Sequence, residues 1–132
     1  MISRENALKL LNQHVKSASM IKHSLASEAV LRSIAMKLNR DPEEWGIAGL
    51  LHDIDVEITN ADPFKHGPYA AVMLDGLISS ESVDAIVMHN EIATGKERTT
   101  VFQHALAAGE TITGLIMATA MVLILLICVS VC

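Results

Sequence analysis

Residues 41–55 read DPEEWGIAGLLHDID, and this stretch indicates both a fold class and a place for chemistry. An N-cap residue, Asp41, precedes a proline and two glutamates, which is typical of a helix N-terminus stabilised by the helix dipole. The helix is expected to start at Pro42 and to end near His52 and Asp53. Its core-facing residues are predicted to be Trp45, Ala48, Gly49, Leu50 and Leu51. An apolar helix would thus carry an imidazole beside a carboxylate at its C-terminal end.

The rest of the chain predicts five more helices. They are expected at about residues 2–15 after a Ser3 cap, 19–38, 66 or 68 to 77, 79 or 80 to 89, and from 99 or 100 onward. Residues 54–64 and 91–98 lack a helical stripe and are predicted as loops. Strand-like alternation persists nowhere. The predicted fold is therefore all-α, a single domain of about six helices.

The composition favours helices and argues against several other classes of protein. Of the 132 residues, 51% are hydrophobic but only 3% are aromatic, so the apolar content suits helices better than a β-sandwich and excludes disorder. The formal charge of -5 argues against a nucleic-acid-binding surface, which needs a basic footprint. The sequence also lacks a phosphate loop, a nucleophile elbow and the H-E-x-x-H and C-x-x-C motifs.

The cysteines and the N-terminal residues indicate a reducing compartment. Cys128 and Cys132 do not have C-x-x-C spacing, so they are predicted to be buried, unreactive thiols. Residues 1–16 mix charged and apolar residues, without the apolar stretch of a signal peptide. We therefore expect a cytoplasmic protein.

One His-Asp dipeptide, His52-Asp53, stands out among the histidines of the chain. Neutral imidazole and carboxylate together suit a divalent cation such as Mn, Fe or Mg, and also Zn. The dipeptide could instead cap the helix C-terminus, although the helix dipole disfavours an Asp there. The pair by itself is weak evidence, because such dipeptides arise by chance.

Several ordered segments resemble the HD superfamily of metal-dependent phosphohydrolases, in its HDIG-type subgroup. The segments are WGIAGLLHD at 45–53, KHG at 65–67, MHN at 88–90 and AAGETITGLI at 107–116. His23 precedes them, and the resemblance covers about residues 20–122. Segments in a fixed order are more specific than one dipeptide. The resemblance implies a single HD-type helical bundle.

The resemblance also implies roles for individual residues. A first metal would be held by His23, His52, Asp53 and Glu110. His66 and His89 would hold a second metal or a substrate phosphate, with Asp53 as the bridging, catalytic carboxylate. Glu110 stands where the family usually has Asp, and its extra methylene changes the geometry that a ligand set must satisfy.

The activity implied by the resemblance is hydrolysis of a small phosphate ester, such as a nucleotide, by a metal-activated water. The implied cofactor is one or two divalent ions per chain, since a cation with few protein ligands keeps positions for water and a phosphoryl oxygen. The alternative is a regulatory or ligand-binding HD module that has lost turnover. Glu110 and the early end of the sequence motivate that alternative.

Each candidate ligand also has a purely structural interpretation. Without the family pattern, His23 would be a partly buried, hydrogen-bonded histidine, and His66 and His89 would be loop histidines in water. Four further residues receive no role as ligands. Asp55 and Glu57 are expected to support the site or to face solvent, and His14 and His104 match none of the HD-like segments.

The segment from Thr111 to Cys132 contains no Asp, Glu, Lys or Arg. As a helix it would span roughly 33 Å, enough for the hydrocarbon core of a bilayer. The first half of this segment coincides with an HD-like segment, and the segment lacks the flanking residues that would anchor a membrane span. We therefore expect this first half to be buried in the core. Membrane anchoring stays an alternative. We predict an HD-type domain over residues 1–122. Residues 123–132 are predicted to form an atypical, foreign or truncated apolar tail that packs on another copy of the chain.

Overall fold

The computed structural model describes the backbone of residues 1–131 and the side chains of residues 1–123. Its helices are α1 (Arg4–His14), α2 (Ala18–Lys37), α3 (Pro42–Leu51), α4 (Pro68–Leu74), α5 (Ser80–His89), α6 (Glu91–Thr94) and α7 (Val101–Val131). The described backbone contains no strand, so the predicted all-α class is confirmed. Cys128 and Cys132 lie outside the residues whose side chains are described.

Side-chain caps set most of the helix starts. Ser3, Asp41 and Ser79 each accept hydrogen bonds from backbone N–H groups of the helix that follows. The caps at Ser3 and Asp41 are the predicted ones, and the structure selects Ser79 where the sequence left Ser79 or Ser80 open. Glu44 accepts a hydrogen bond from the Ser79 hydroxyl at 2.5 Å and thereby ties α3 to the start of α5. Ser79 therefore both caps α5 and holds the start of α5 against α3.

Two boundaries differ from the sequence-based prediction. Residues 91–98, predicted as a loop, include the single-turn helix α6, which ends where Gly95 adopts the left-handed conformation with φ of 61°. Four residues make a single turn, which is too short to show a helical stripe, so the pattern could not reveal this helix. Helix α4 ends at Leu74 and not at Leu77, because Asp75 is extended and Gly76 has φ of 70°.

The core is built around α3, which lies against α2. Every residue from Trp45 to Leu51 is buried. Gly49 permits the close approach of the two helices, since a Cβ atom there would lie 2.8 Å from the backbone oxygen of Ser27. The last residues of α3 therefore lie beside the first half of α2.

Helix α7 has two different environments. Its first turns pack on α2 and α5, and Phe102 stacks on Trp45 with ring centroids 4.4 Å apart. From Leu115 to Leu123 most side chains are exposed. The segment Val101–Leu123 is long and apolar enough to cross a membrane, with a mean hydropathy of 1.6, although one such helix is weak evidence for a span. Only 22% of this apolar window is buried and most side chains of residues 111–122 are exposed, so the expected burial of that stretch in the core is wrong. The helix continues through residues 122 and 123 without a break, and the predicted domain boundary there stays a prediction.

Candidate metal centre

Histidines from two helices, from the C-terminal end of a third and from a loop surround the carboxylate of Asp53. His23 comes from α2, and His52 and Asp53 directly follow α3. His66 precedes α4, and His89 is the last residue of α5. His23, His52 and Asp53 are buried, and His66 and His89 are partly buried. The fold thus brings together five of the residues that the sequence singles out.

The two oxygens of Asp53 each face one pair of imidazoles. Its Oδ2 lies 3.2 Å from His52 Nε2 and 3.6 Å from His23 Nε2. Its Oδ1 lies 3.1 Å from His66 Nε2 and 3.6 Å from His89 Nε2. Within the pairs, the Nε2 atoms are 3.2 Å apart for His23 and His52 and 3.0 Å apart for His66 and His89. Asp53 is therefore shared by two three-residue groups.

The other ring nitrogen of each histidine points away from Asp53 and has a hydrogen-bond partner. The Nδ1–H groups donate as follows: His52 to Gly49 O at 2.8 Å, His89 to Ile86 O, His66 to Asp55 Oδ1 at 2.7 Å and His23 to Thr113 Oγ1 at 3.3 Å. A neutral imidazole that donates from Nδ1 keeps its lone pair on Nε2. All four Nε2 atoms are thus directed at the same centre, and each would offer its lone pair there when its ring is neutral, as in histidines that bind metals.

Thr113 accepts from His23 because its own proton is used elsewhere. The Thr113 hydroxyl donates to the backbone oxygen of Glu110 at 2.8 Å, one turn earlier in α7. The Ser27 hydroxyl lies 3.0 Å from Thr113 Oγ1 and supplies a further donor. This network joins α2 to α7 beside His23.

Burial and charge act in opposite directions on the groups of this centre. Burial alone would raise the pKa of Asp53, but His52 and the hydrogen bonds from His66 and His89 hold that pKa well below its usual value. Burial lowers the pKa of His23, and the neighbouring His52 lowers it further. For His52, burial lowers the pKa, but the charge of Asp53 and the hydrogen bonds to Asp53 and to the Gly49 carbonyl together raise it above its usual value. Asp53 is therefore an anion at neutral pH.

The pKa of His66 is also raised. Burial opposes its protonation, yet the hydrogen bonds to Asp53 and Asp55 raise the pKa of His66 to about 10. At neutral pH a divalent cation would have to displace a proton from this imidazole before Nε2 could bind it.

The donor set fits divalent cations. In each group, His23–His52–Asp53 and Asp53–His66–His89, the potential ligand atoms lie within 4.8 Å of one another. Imidazole-rich sets with one carboxylate suit transition metals such as Mn, Fe and Zn better than Mg, which prefers oxygen ligands. Either group alone leaves positions for other ligands.

Glu110, predicted as a ligand of the first metal, belongs to neither group among the described side chains. Its carboxylate is partly exposed and accepts a hydrogen bond from the Thr111 hydroxyl at 2.8 Å. It is nevertheless close enough for its charge to contribute to raising the pKa of His52. Its role as a ligand stays a prediction.

Two residues at the centre were not assigned a specific role from the sequence, Asp55 and Thr113. Asp55 is fully buried and lies two residues beyond Asp53, in a segment without helical periodicity. Thr113 is a buried hydroxyl of α7. A polar residue two helical turns after the buried Leu106 of the same helix is the signal that could have identified Thr113.

A separate cavity of about 500 Å³ opens beside Trp45 and Phe102 and is also lined by Arg40, Glu81 and Asp84. None of the residues around Asp53 lines it. This cavity and the cluster of metal-competent groups are thus different places on the molecule.

Comparison with known proteins identifies the family. The family model described as HD domain matches residues 20–126, which include every member of the two histidine groups. No curated protein and no solved structure matches the chain. The match covers most of the sequence and coincides with the residues that surround Asp53. The chain therefore belongs to the HD domain family.

Proposed function

We propose that this protein is a metal-dependent phosphohydrolase or phosphodiesterase that acts on a small phosphate ester, such as a nucleotide. The observation that supports this function is the sharing of Asp53 by two histidine pairs whose Nδ1 atoms are all held by hydrogen bonds. Membership of the HD domain family gives the same reaction class.

His23, His52 and Asp53 would hold one cation, and Asp53, His66 and His89 would hold a second cation or grip a substrate phosphate. Bound cations would acidify a water molecule and neutralise charge that develops on the phosphoryl group. Asp53 contributes a carboxylate that is ionised at neutral pH, because its pKa is far below the ordinary value. Its two oxygens face the two histidine pairs, and we assign it the central catalytic role.

Loss of Asp53 is therefore expected to abolish both cation binding and turnover. The experiment compares wild type, Asp53→Ala and His52→Ala for divalent metal content after loading with Mn, and for hydrolysis of a panel of nucleotides and generic phosphate esters. His104→Ala is the matched control, since His104 is an exposed histidine of α7 outside both groups. We expect the control to keep the metal content and turnover of the wild type.

The proposal would be wrong if the wild-type protein held no divalent ion under any loading condition. Turnover that survives in Asp53→Ala would contradict the role of Asp53 and point to a contaminating enzyme.

The second candidate is a regulatory HD module that binds a phosphorylated ligand without turnover. The orientation of Glu110 favours it, since this carboxylate accepts from Thr111 and belongs to neither group. Glu110→Asp restores the residue that the family usually has at this position. Turnover that appears only in Glu110→Asp would favour the regulatory module, whereas turnover in the wild type would exclude it.

A further inference from the structure

Asp55 is a buried carboxylate whose two oxygens both accept hydrogen bonds. Its Oδ1 accepts from His66 Nδ1 at 2.7 Å. Its Oδ2 accepts from the backbone N–H of Gly67 at 2.9 Å and of Ala70 at 3.1 Å. The residue is completely inaccessible to solvent. One side chain therefore connects a histidine of the metal centre to the first turn of α4.

Among the four groups that accept a hydrogen bond from Nδ1 of a site histidine, Asp55 alone is a carboxylate. His23, His52 and His89 donate from Nδ1 to neutral oxygens, a threonine hydroxyl in the first case and backbone carbonyls in the other two. His66 donates to a carboxylate. A hydrogen bond to an ionised acceptor is stronger than one between neutral groups and restricts the ring more firmly.

His66 needs such a restraint because it does not lie within a helix. It comes immediately before Gly67, which has φ of 94° and no side chain to cap α4. Asp55 supplies the missing cap from the preceding loop, and the same carboxylate holds the ring of His66. The other three histidines of the centre lie in, or directly after, helices of ten or more residues.

We propose that Asp55 is the positioning residue of the Asp53–His66–His89 group, and that it orients His66 Nε2 toward a cation there. This inference rests on the proposed cation site but not on turnover. Asp55 acts through His66 and has no contact with the ligand position itself.

The substitution Asp55→Asn keeps the shape of the side chain and leaves one acceptor oxygen for three donors. Either His66 or the two backbone N–H groups of α4 then lose their partner. We expect the affinity for one cation to fall about 10- to 100-fold, which is the usual effect of removing the partner of a ligating histidine. Affinity at the His23–His52–Asp53 group should not change.

Titration of the full chain with Co²⁺ tests the role of Asp55. Calorimetry measures the affinity for each equivalent of Co²⁺, and visible absorption reports how each bound ion is coordinated. Asp41→Asn is the matched control, because Asp41 also caps a helix through two backbone N–H groups but lies at the far end of α3. We expect Asp41→Asn to bind two equivalents like the wild type, whereas Asp55→Asn binds one normally and shows weakened binding and an altered spectrum for the other.

A double variant separates positioning from a general structural effect. In the His66→Ala background, Asp55→Asn should cause no further loss of Co²⁺ affinity, because the residue through which Asp55 acts is absent. If Asp55→Asn does not fold, Asp55→Ser fits the same space, lacks the charge and is titrated in its place.

The inference is overturned if the folded Asp55 variant binds Co²⁺ with wild-type stoichiometry, affinity and spectrum. It is also overturned if the wild type binds fewer than two equivalents. A failure of the proposed function would look different from these outcomes. In that case the wild type would bind Co²⁺ normally but would hydrolyse no ester.

Discussion

At the residue scale, the candidate metal centre depends on which nitrogen of each imidazole carries the proton. Four different acceptors hold the Nδ1 atoms. None of these acceptors belongs to either of the two groups of candidate ligands. The acceptor for His23, the hydroxyl of Thr113, is the one that can be removed with least change in volume. Thr113 thus offers a direct test of this hydrogen-bond arrangement.

We expect Thr113→Val to lower the cation affinity of the His23–His52–Asp53 group about tenfold, since His23 loses its Nδ1 acceptor. Thr113→Ser keeps the hydroxyl and should behave like the wild type. Isothermal titration with Mn²⁺ measures both variants. Equal affinities in the two would show that the hydroxyl does not orient His23.

At the element scale, the packing of α3 on α2 determines how closely His52 approaches His23. Gly49 lies at the contact, and the atom that a new Cβ would meet is a backbone oxygen that cannot rotate away. Gly114 of α7 is a useful comparison, because a Cβ there would meet only His23 Cε1, at an ordinary 3.9 Å.

Gly49→Ala is expected to lower the free energy of unfolding by about 1–3 kcal/mol, because overpacking outweighs the gain in helix propensity. It should also weaken cation binding by separating His23 from His52. Gly114→Ala is expected to be neutral or to stabilise by up to about 1 kcal/mol. Urea unfolding measures both, and a Gly49→Ala protein as stable as Gly114→Ala would contradict this account of the packing.

At the scale of the whole molecule, the second half of α7 presents an apolar surface. Ile112, Leu115, Ile116 and Val122 are each 45–60% exposed and recur at helical spacing along one side. No charged residue occurs from Thr111 onward to complement a charged partner. A symmetric contact between two copies requires no such complement, and we propose that a second copy of the chain covers this face.

Ile116→Glu is therefore expected to convert a dimer or larger assembly into a monomer, because it places a charge in the contact. Sedimentation velocity of the full chain measures the change. Val72→Glu, an equally drastic change at an exposed residue of α4, should leave the assembly intact. A wild-type monomer, or flotation of the wild type with phosphatidylcholine vesicles, would contradict the proposal and, in the second case, favour a membrane surface.

Much of the fold and part of the centre could be predicted from the sequence. The caps at Ser3, Asp41 and Ser79 act within one turn of their helices, so their signals are local and readable. The histidines and Asp53 were found through the order of their segments, which resembles a known family. Helix α6 and the end of α4 were not predicted, because single turns and residues with positive φ leave little periodic signal.

The sequence by itself determined the all-helical class and which imidazoles and carboxylate were candidates for chemistry. Only the tertiary structure decided that Asp53 divides its oxygens between two histidine pairs, and that Asp55 and Thr113 hold two of the rings. It also decided that the Glu110 carboxylate joins neither group. The physical reason is that local propensity specifies elements along the chain, whereas hydrogen bonds between residues 11 to 90 positions apart depend on how the helices pack.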